Sequence, residues 1–481
     1  QQFLTSYAVD QKMNKTNPAR IDMREKSLEV INSTMKQSEE LRIRYASYQS
    51  GVSNAWKKWK GENFGLEKEN ALAKKIEKER IYTERINENE ELKKQFGLLL
   101  PSLKTLYKEN ESYQKAFDYY IEMIYSGPKS LRHINNFVSV IENAEKYRLA
   151  GSLDAEMEKL KKNYQAFIDY PEQLEFEKRM WKSLYSTSMN HVGKEFHPDN
   201  LLAQSNYLTN MDKIIDDRFE KSMFLSEKKL LNYLNNPTEK NLKKIKKDKG
   251  YTMVKSFYDA LRGKVIPTYY GNEDKITELM KEYSKSIQIV FPTEKYWYDA
   301  NSTLRVSYGQ IEGSAPRDGM RYTHKTTAEG IMAKYIPNND EFDVPEKLIS
   351  LINNKDYGRY SEGDSTLVIC FTGSNHTTGG NSGSPVINAN GELIGINFDR
   401  SWESTMSDVM FSEKLCRNIT VDIRYVLFVI DKYAGASHLI EEMKLVETPK
   451  FTIKKDKIVG GIELPIQNSG VLKSLEKQMS K

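Results

Sequence analysis

The residues best suited to chemistry lie in one short run, Thr377-Thr378-Gly379-Gly380-Asn381-Ser382-Gly383-Ser384-Pro385-Val386. A serine becomes a nucleophile when a tight turn exposes its Oγ and nearby backbone N–H groups point at the developing oxyanion. Small residues around Ser382 let the main chain approach a substrate carbonyl. Gly380 and Ser382 have the two-residue spacing by which two N–H groups form such a hole. Pro385 then starts an outgoing strand, where its missing N–H is tolerated. The competing reading is a Gly/Ser-rich surface loop. Gly-Asn-Ser-Gly-Ser-Pro followed by a hairpin is a more specific signal than a lone Gly-x-Ser-x-Gly. The serine needs a base, and the chain has six histidines: His133, His191, His197, His324, His376 and His438. His376 precedes Ser382 by only six residues. Acyl transfer of this kind requires no metal and no cofactor.

The elements that must carry this loop read as strand, turn, strand. Pro385-Val386-Ile387 and Leu393-Ile394-Gly395-Ile396 flank Asn388-Ala389-Asn390-Gly391, whose Asn-Gly pair supplies the positive φ of a hairpin. Leu367-Val368-Ile369 is a further buried-strand run, and Thr303–Ser307 alternates polar with apolar. Residues 423–433, with Leu439, Ile440 and Met443, predict a closing helix. The chain before about Tyr296 reads differently. Residues 1–300 hold 10 of the 26 glycines and the remainder holds 16, so strands and tight loops concentrate late in the chain. No proline occurs between Ile21 and Leu100. Leu28, Ile31 and Met35 form an amphipathic stripe. Pro101, Gly127-Pro128, Pro171 and Pro198 mark breaks between helices. Tyr119, Tyr120 and Trp181 are expected in a helical core. No fixed-period repeat is present.

Composition bounds the function classes. The 481 residues suffice for two or three domains. Apolar residues make up 38% and charged residues 29%. Lys and Arg total 72 against 67 Asp and Glu, a net charge of +5 that makes no case for nucleic acid as a partner. The run Lys243, Lys244, Lys246, Lys247, Lys249 reads as a solvated helix face. Cys370 and Cys416 cannot make a metal site or a disulfide framework; they leave one bridge or two buried thiols. No apolar stretch is long enough for a transmembrane segment. Gln1 opens the sequence without a signal peptide, and the first residues read as the middle of something, so the chain is expected to be a fragment or a processed form.

Three segments resemble the bacterial dipeptidyl-peptidase 7 and 11 family of chymotrypsin-like serine exopeptidases: 379–385, 391–400 and 421–428. So do Asn54-Ala55-Trp56-Lys57-Lys58-Trp59 and Ser314-Ala315-Pro316-Arg317-Asp318-Gly319. The resemblance covers residues 1–445 and is nearest the Asp/Glu-specific branch. It implies an α+β multidomain fold, a large α-helical domain followed by the carboxy-terminal β-barrel of a double-barrel peptidase. The boundaries would be 1–295 for the helical cap, 296–445 for the barrel with its closing helix, and 446–481 for a polar tail outside the pattern. In such enzymes the triad histidine and aspartate come from an amino-terminal barrel. Nothing before residue 300 reads as one, so both are expected upstream of Gln1.

The same resemblance implies site roles. Ser382 is the nucleophile, with Gly380 and Ser382 N–H as the oxyanion hole. Arg400, 18 positions after Ser382, sits at the base of the pocket for P1, the residue whose carbonyl is attacked. A guanidinium there would take an Asp or Glu side chain in fork geometry. Asp399 holds the free substrate amino terminus, aided by Asn54 and walled by Phe398. Trp56 and Trp59 are packing residues. The expected function is a serine dipeptidyl-peptidase acting on peptides with a free amino terminus, as a periplasmic or cell-surface homodimer. The alternatives are an apolar-P1 dipeptidyl-peptidase with Arg400 turned to solvent, an endopeptidase, and a fragment or binding module without its base.

Overall fold

The computed structural model describes residues 3–446 apart from 169–172, 226–228, 295, 297–300, 340 and 364. The expected polar tail and Pro171 fall essentially outside these residues. Among the described residues every regular element from Ser6 to Val290 is helical, and the seven strands follow.

The helices begin where the sequence offers caps. Ser38 Oγ accepts from Leu41 N–H (3.2 Å) to open Glu39–Lys68, whose first turn carries Glu39 and Glu40 against the positive helix end. Asp248 Oδ1 caps Lys249–Ala260 through Gly250 and Tyr251 N–H, at 2.8 and 3.0 Å. Pro101 sits in the first turn of Leu99–Tyr125, where no intrahelical N–H is lost. Pro128 and Pro198 stand at helix starts. Tyr119, Tyr120 and Trp181 are buried as expected. The Trp181 indole N–H donates to Ser130 Oγ (2.8 Å) and the Tyr120 hydroxyl to Phe196 O (2.7 Å), so both rings bury without an orphaned donor.

One seam fixes the helix that later reaches the site. Arg20 and Arg24, one turn apart on Asn17–Met35, pair with Asp118 and Glu122, one turn apart on Leu99–Tyr125, at 2.7 and 2.8 Å. Both guanidinium groups lie against the Trp59 ring, at 5.5 and 4.9 Å. Trp56 donates to Glu25 Oε1 (3.0 Å) and carries Lys60 over its face. Both tryptophans are therefore packing residues that lock Glu39–Lys68 against its neighbours.

The strands form a hairpin, β1 (Ser314–Arg317) with β2 (Met320–Tyr322), and a five-stranded antiparallel sheet. In the sheet β3 (Lys325–Thr327), β4 (Val368–Gly373), β7 (Asn418–Asp422), β6 (Leu393–Arg400) and β5 (Pro385–Ile387) lie in that spatial order. β3 and β5 are edges, so the described sheet is open. A closed barrel would need those edges paired. Residues 303–307, whose alternation fits a strand, join no ladder among the described residues, and Leu304 is 97% exposed. In the β5–β6 connection, among the described residues, only Gly391 takes positive φ (+80°). Gly391 N–H donates to Asn388 O, and Asn388 N–H to Glu392 O, both at 3.0 Å, which makes a turn closed by a glycine rather than a two-residue Asn-Gly loop. The closing helix runs Ile423–Phe428 and continues as one wider turn to Tyr433. Cys370 and Cys416 are free thiols, and burial pushes Cys416 up to about 11.

The helical part meets the sheet through Glu39–Lys68 and the short helix Trp402–Asp408. Gly61 and Gly65 allow the approach. A Cβ on Gly61 would stand 2.5 Å from Trp402 O, and one on Gly65 2.5 Å from Met406 Sδ. Phe64 stacks on Trp402 (5.3 Å), whose indole N–H donates to Lys57 O (2.9 Å). Gly61→Ala is expected to destabilise the protein by about 1–3 kcal/mol, because a backbone oxygen must move. Gly51→Ala, in the same helix with nothing within 4 Å, is expected to stabilise by up to about 1 kcal/mol through helix propensity. Thermal melts of the two variants should shift in opposite directions.

Candidate active site

The Ser382 loop is held against β6, the second strand after it. Gly383 N–H donates to Asn397 O (2.8 Å) and Asn397 N–H to Ser384 O (2.9 Å). Inside the loop, Asn381 N–H reaches Thr378 O (3.2 Å), Ser384 N–H reaches Asn381 O (3.0 Å), and Thr378 N–H reaches Asn381 Oδ1 (2.9 Å). Gly380 and Gly383 have φ of +100° and +87°, a region that side chains strain to enter. This winding leaves Ser382 exposed, with its hydroxyl donating to Phe398 O (3.1 Å). Among the described residues neither Gly380 N–H nor Ser382 N–H has an acceptor. Two unspent donors flank the serine, as an oxyanion site requires.

No histidine among the described residues touches the Ser382 hydroxyl. His376, six residues away, packs beside Phe411 and bonds through Nε2 to Ser407 O (3.2 Å), and burial lowers its pKa. His133 is stacked on Phe167, and burial pushes its pKa down to about 4. His197 is buried between the Tyr207 hydroxyl and Val192 O.

The loop is braced from beneath by residues that sequence reasoning missed. The register of β6 against β7 shifts between Asn397 and Asp399, which makes Phe398 the extra residue of a bulge. The bulge exposes the Phe398 ring (45%) and leaves its carbonyl on the serine. Asn397 Nδ2 donates to Asn381 O (3.2 Å), and Asn418 Nδ2 to Asn397 Oδ1 (2.9 Å). Buried Asn397 and Asn418 thus tie the Ser382 turn to two neighbouring strands. Glycine spacing signals the turn, but nothing local in the sequence signals these amides.

Arg400, at the end of β6, is not turned to solvent: its side chain is 12% exposed. Its Nη1 and Nη2 fork onto Asp408, at 2.7 and 2.9 Å, and Nη1 also reaches Ser407 Oγ (2.8 Å). Asp408 was not among the expected site residues, yet it is the hub. It also accepts from Thr378 Oγ1 (2.6 Å), in the Ser382 loop, and pairs with Lys58 Nζ (3.0 Å), from the helical part. Burial by itself would raise the Asp408 pKa. The hydrogen bonds from Arg400 and Thr378 and the charges of Arg400 and Lys58 override it and hold the carboxylate far below its usual range. The guanidinium keeps one edge open, since among the described residues its Nε–H has no acceptor.

The remaining expected residues are placed around this hub. Asp399 is exposed, and one of its oxygens accepts from Arg400 N–H (2.8 Å). Asn54 is exposed on Glu39–Lys68, one turn before Lys58 and therefore on the same helix face. Lys58 reaches Asp408, so the sequence-distant Asn54, Arg400 and Ser382 all lie on elements joined at one carboxylate.

Comparison with known proteins places the chain in a family. The chain belongs to the peptidase S46 family, whose model matches residues 1–445. It is 39% identical over 474 residues to the Asp/Glu-specific dipeptidyl-peptidase of Flavobacterium psychrophilum, covering 94% of this chain and 62% of that one. It is 34% identical over 455 residues to dipeptidyl-peptidase 7 of Porphyromonas endodontalis, covering 92% and 53%. Among solved structures, DPP11 of Porphyromonas endodontalis in complex with the dipeptide Arg-Glu matches with a TM-score of 0.77 and 27% identity, over 92% of this chain and 62% of that one. The chain thus spans less than two thirds of the length of these relatives. Among the described residues no helix is long and apolar enough to cross a membrane.

Proposed function

We propose that this chain carries the nucleophile and the specificity pocket of a serine dipeptidyl-peptidase that releases dipeptides with Asp or Glu at P1. The observation that carries the reading is the union of Ser382 and Arg400 through Asp408. An exposed serine, two free N–H donors and a cation withdrawn from solvent share one small framework. Ser382 attacks the second carbonyl of the substrate, and Gly380 and Ser382 N–H hold the oxyanion. Arg400 offers its open edge to the P1 carboxylate. Asp399 and Asn54 take the substrate amino group beside Phe398. The named specificity of the Flavobacterium relative supports this assignment, and an Arg400 withdrawn from solvent argues against an apolar pocket.

In this reading residues 1–295 cap the cleft, and residues 296–445 belong to the carboxy-terminal barrel of a chymotrypsin-like pair. The triad histidine and aspartate come from chain beyond these residues. The whole enzyme acts as a periplasmic or cell-surface homodimer.

The test uses fluorogenic Leu-Asp and Leu-Leu amides with a protein extended to the full length of its relatives. The expected result is release from Leu-Asp well above Leu-Leu, and loss of release when the substrate amino group is acetylated. Equal cleavage of the acetylated substrate would mean an endopeptidase. No cleavage by a folded, extended protein would sink the peptidase reading.

A further inference from the structure

Charge at the proposed P1 pocket does not balance in favour of an acidic substrate if Arg400 acts alone. The Asp408 carboxylate takes both terminal nitrogens of Arg400 in a fork, so the pair is electrically neutral. A substrate carboxylate approaching the open edge of Arg400 would meet the guanidinium and, just behind it, an opposing anion. What restores the positive sign is Lys58, whose Nζ lies 3.0 Å from the same Asp408 oxygen that Arg400 Nη2 reaches at 2.9 Å. Lys58 comes from the helical part, not from the sheet, and its side chain is 44% exposed, open enough to swing toward a ligand. Its backbone is fixed, because the neighbouring Lys57 carbonyl accepts from the Trp402 indole and Gly61 presses on Trp402. Asn54 precedes it on the same helix face.

We propose that Lys58 is a second specificity-determining residue, the cation that makes the Arg400–Asp408 site net positive and receives an acidic P1 side chain together with Arg400. Asp408 is then a positioning residue. It holds Arg400 in one rotamer with the open edge toward the cleft, and it draws the Lys58 ammonium to the same spot. The inference rests on the Asp/Glu reading above and deepens it. The acid pocket is completed across the two parts of the chain, so acidic recognition also reports that the helical part is seated.

The experiment compares Lys58→Met and Lys58→Arg in the protein extended to the length of its relatives, on Leu-Asp, Leu-Glu and Leu-Leu amides. Lys58→Met is expected to lower the ratio of kcat/KM for Leu-Asp to that for Leu-Leu by about tenfold, chiefly through KM, the scale of one partly solvated charged contact. Lys58→Arg should restore most of the ratio. A fall of equal size on all three substrates would make Lys58 a mere latch between helix and loop and would overturn the inference. So would an unchanged ratio in an enzyme that still prefers acidic substrates. Loss of acidic preference in the unaltered protein is a different failure, one that removes the proposed function itself. Thermal melts of both variants separate these outcomes from misfolding.

Discussion

Exchanging Ser382 for alanine in the extended protein is expected to lower kcat by about 10⁵- to 10⁶-fold, the scale seen when a serine peptidase loses its nucleophile. The expectation follows from what the loop holds back and what it spends. The loop hydrogen bonds run through Thr378, Asn381, Gly383 and Ser384, and none of them uses the Ser382 side chain. Its hydroxyl makes one bond, to Phe398 O. A neutral bond of that kind contributes about 1 kcal/mol, so a base can turn the hydroxyl toward itself at small cost. The variant should therefore fold, with stability within about 0.5 kcal/mol of the parent, as for other exposed positions. Residual cleavage should be the oxyanion and binding contribution alone, roughly 10³–10⁴ over water. Activity within tenfold of the parent would place the nucleophile elsewhere, with Ser384 the first residue to test.

How far the sequence announced this site depends on the range of the interaction concerned. The Ser382 turn was readable because it is built from glycines at fixed offsets and ends on a proline and a hairpin, all within a few residues. The helical part was readable for the same reason: its caps, its apolar stripe and its breaks at Gly127-Pro128 and Pro198 are local. The bulge at Phe398 was not, because it arises from pairing with β7, which lies 20 residues on: Asn397 stands opposite Thr420 but Asp399 opposite Ile419. Asn418 beneath Asn397 is equally distant in the chain. Asp408 was invisible because its meaning lies in Thr378, Arg400 and Lys58 at once, and Lys58 is hundreds of positions away. Arg400 itself reads as an ordinary strand-end arginine until resemblance singles it out. The alternation of residues 303–307 suggested a strand, and the structure leaves that segment without a ladder, since alternation specifies two faces but supplies no neighbour.

Arg400→Gly should give the second large effect, a loss of acidic preference. Removing the guanidinium deletes a charge-assisted contact of about 1.5–3 kcal/mol, so the Leu-Asp to Leu-Leu ratio of kcat/KM should fall by roughly 10- to 150-fold. The space vacated beside Ser407 and Thr377 also admits an apolar side chain, which pushes the ratio the same way. A complication is built into the site. Asp408 would lose the partner that occupies both of its oxygens, leaving Lys58 and Thr378 to hold a mostly buried carboxylate. Breaking one side of a buried pair costs about 3–5 kcal/mol, enough to disturb the nucleophile loop through Thr378. The double variant Arg400→Gly with Asp408→Asn removes that stranded charge while keeping a hydrogen-bond acceptor for Thr378. If Arg400 reads the substrate, the single and double variants should both lose acidic preference, and the double variant should recover stability and turnover on Leu-Leu. If Arg400 only neutralises Asp408, the double variant should regain the parent's preference for Leu-Asp. That second result would move the burden of acidic recognition onto Lys58, the other cation that reaches residue 408.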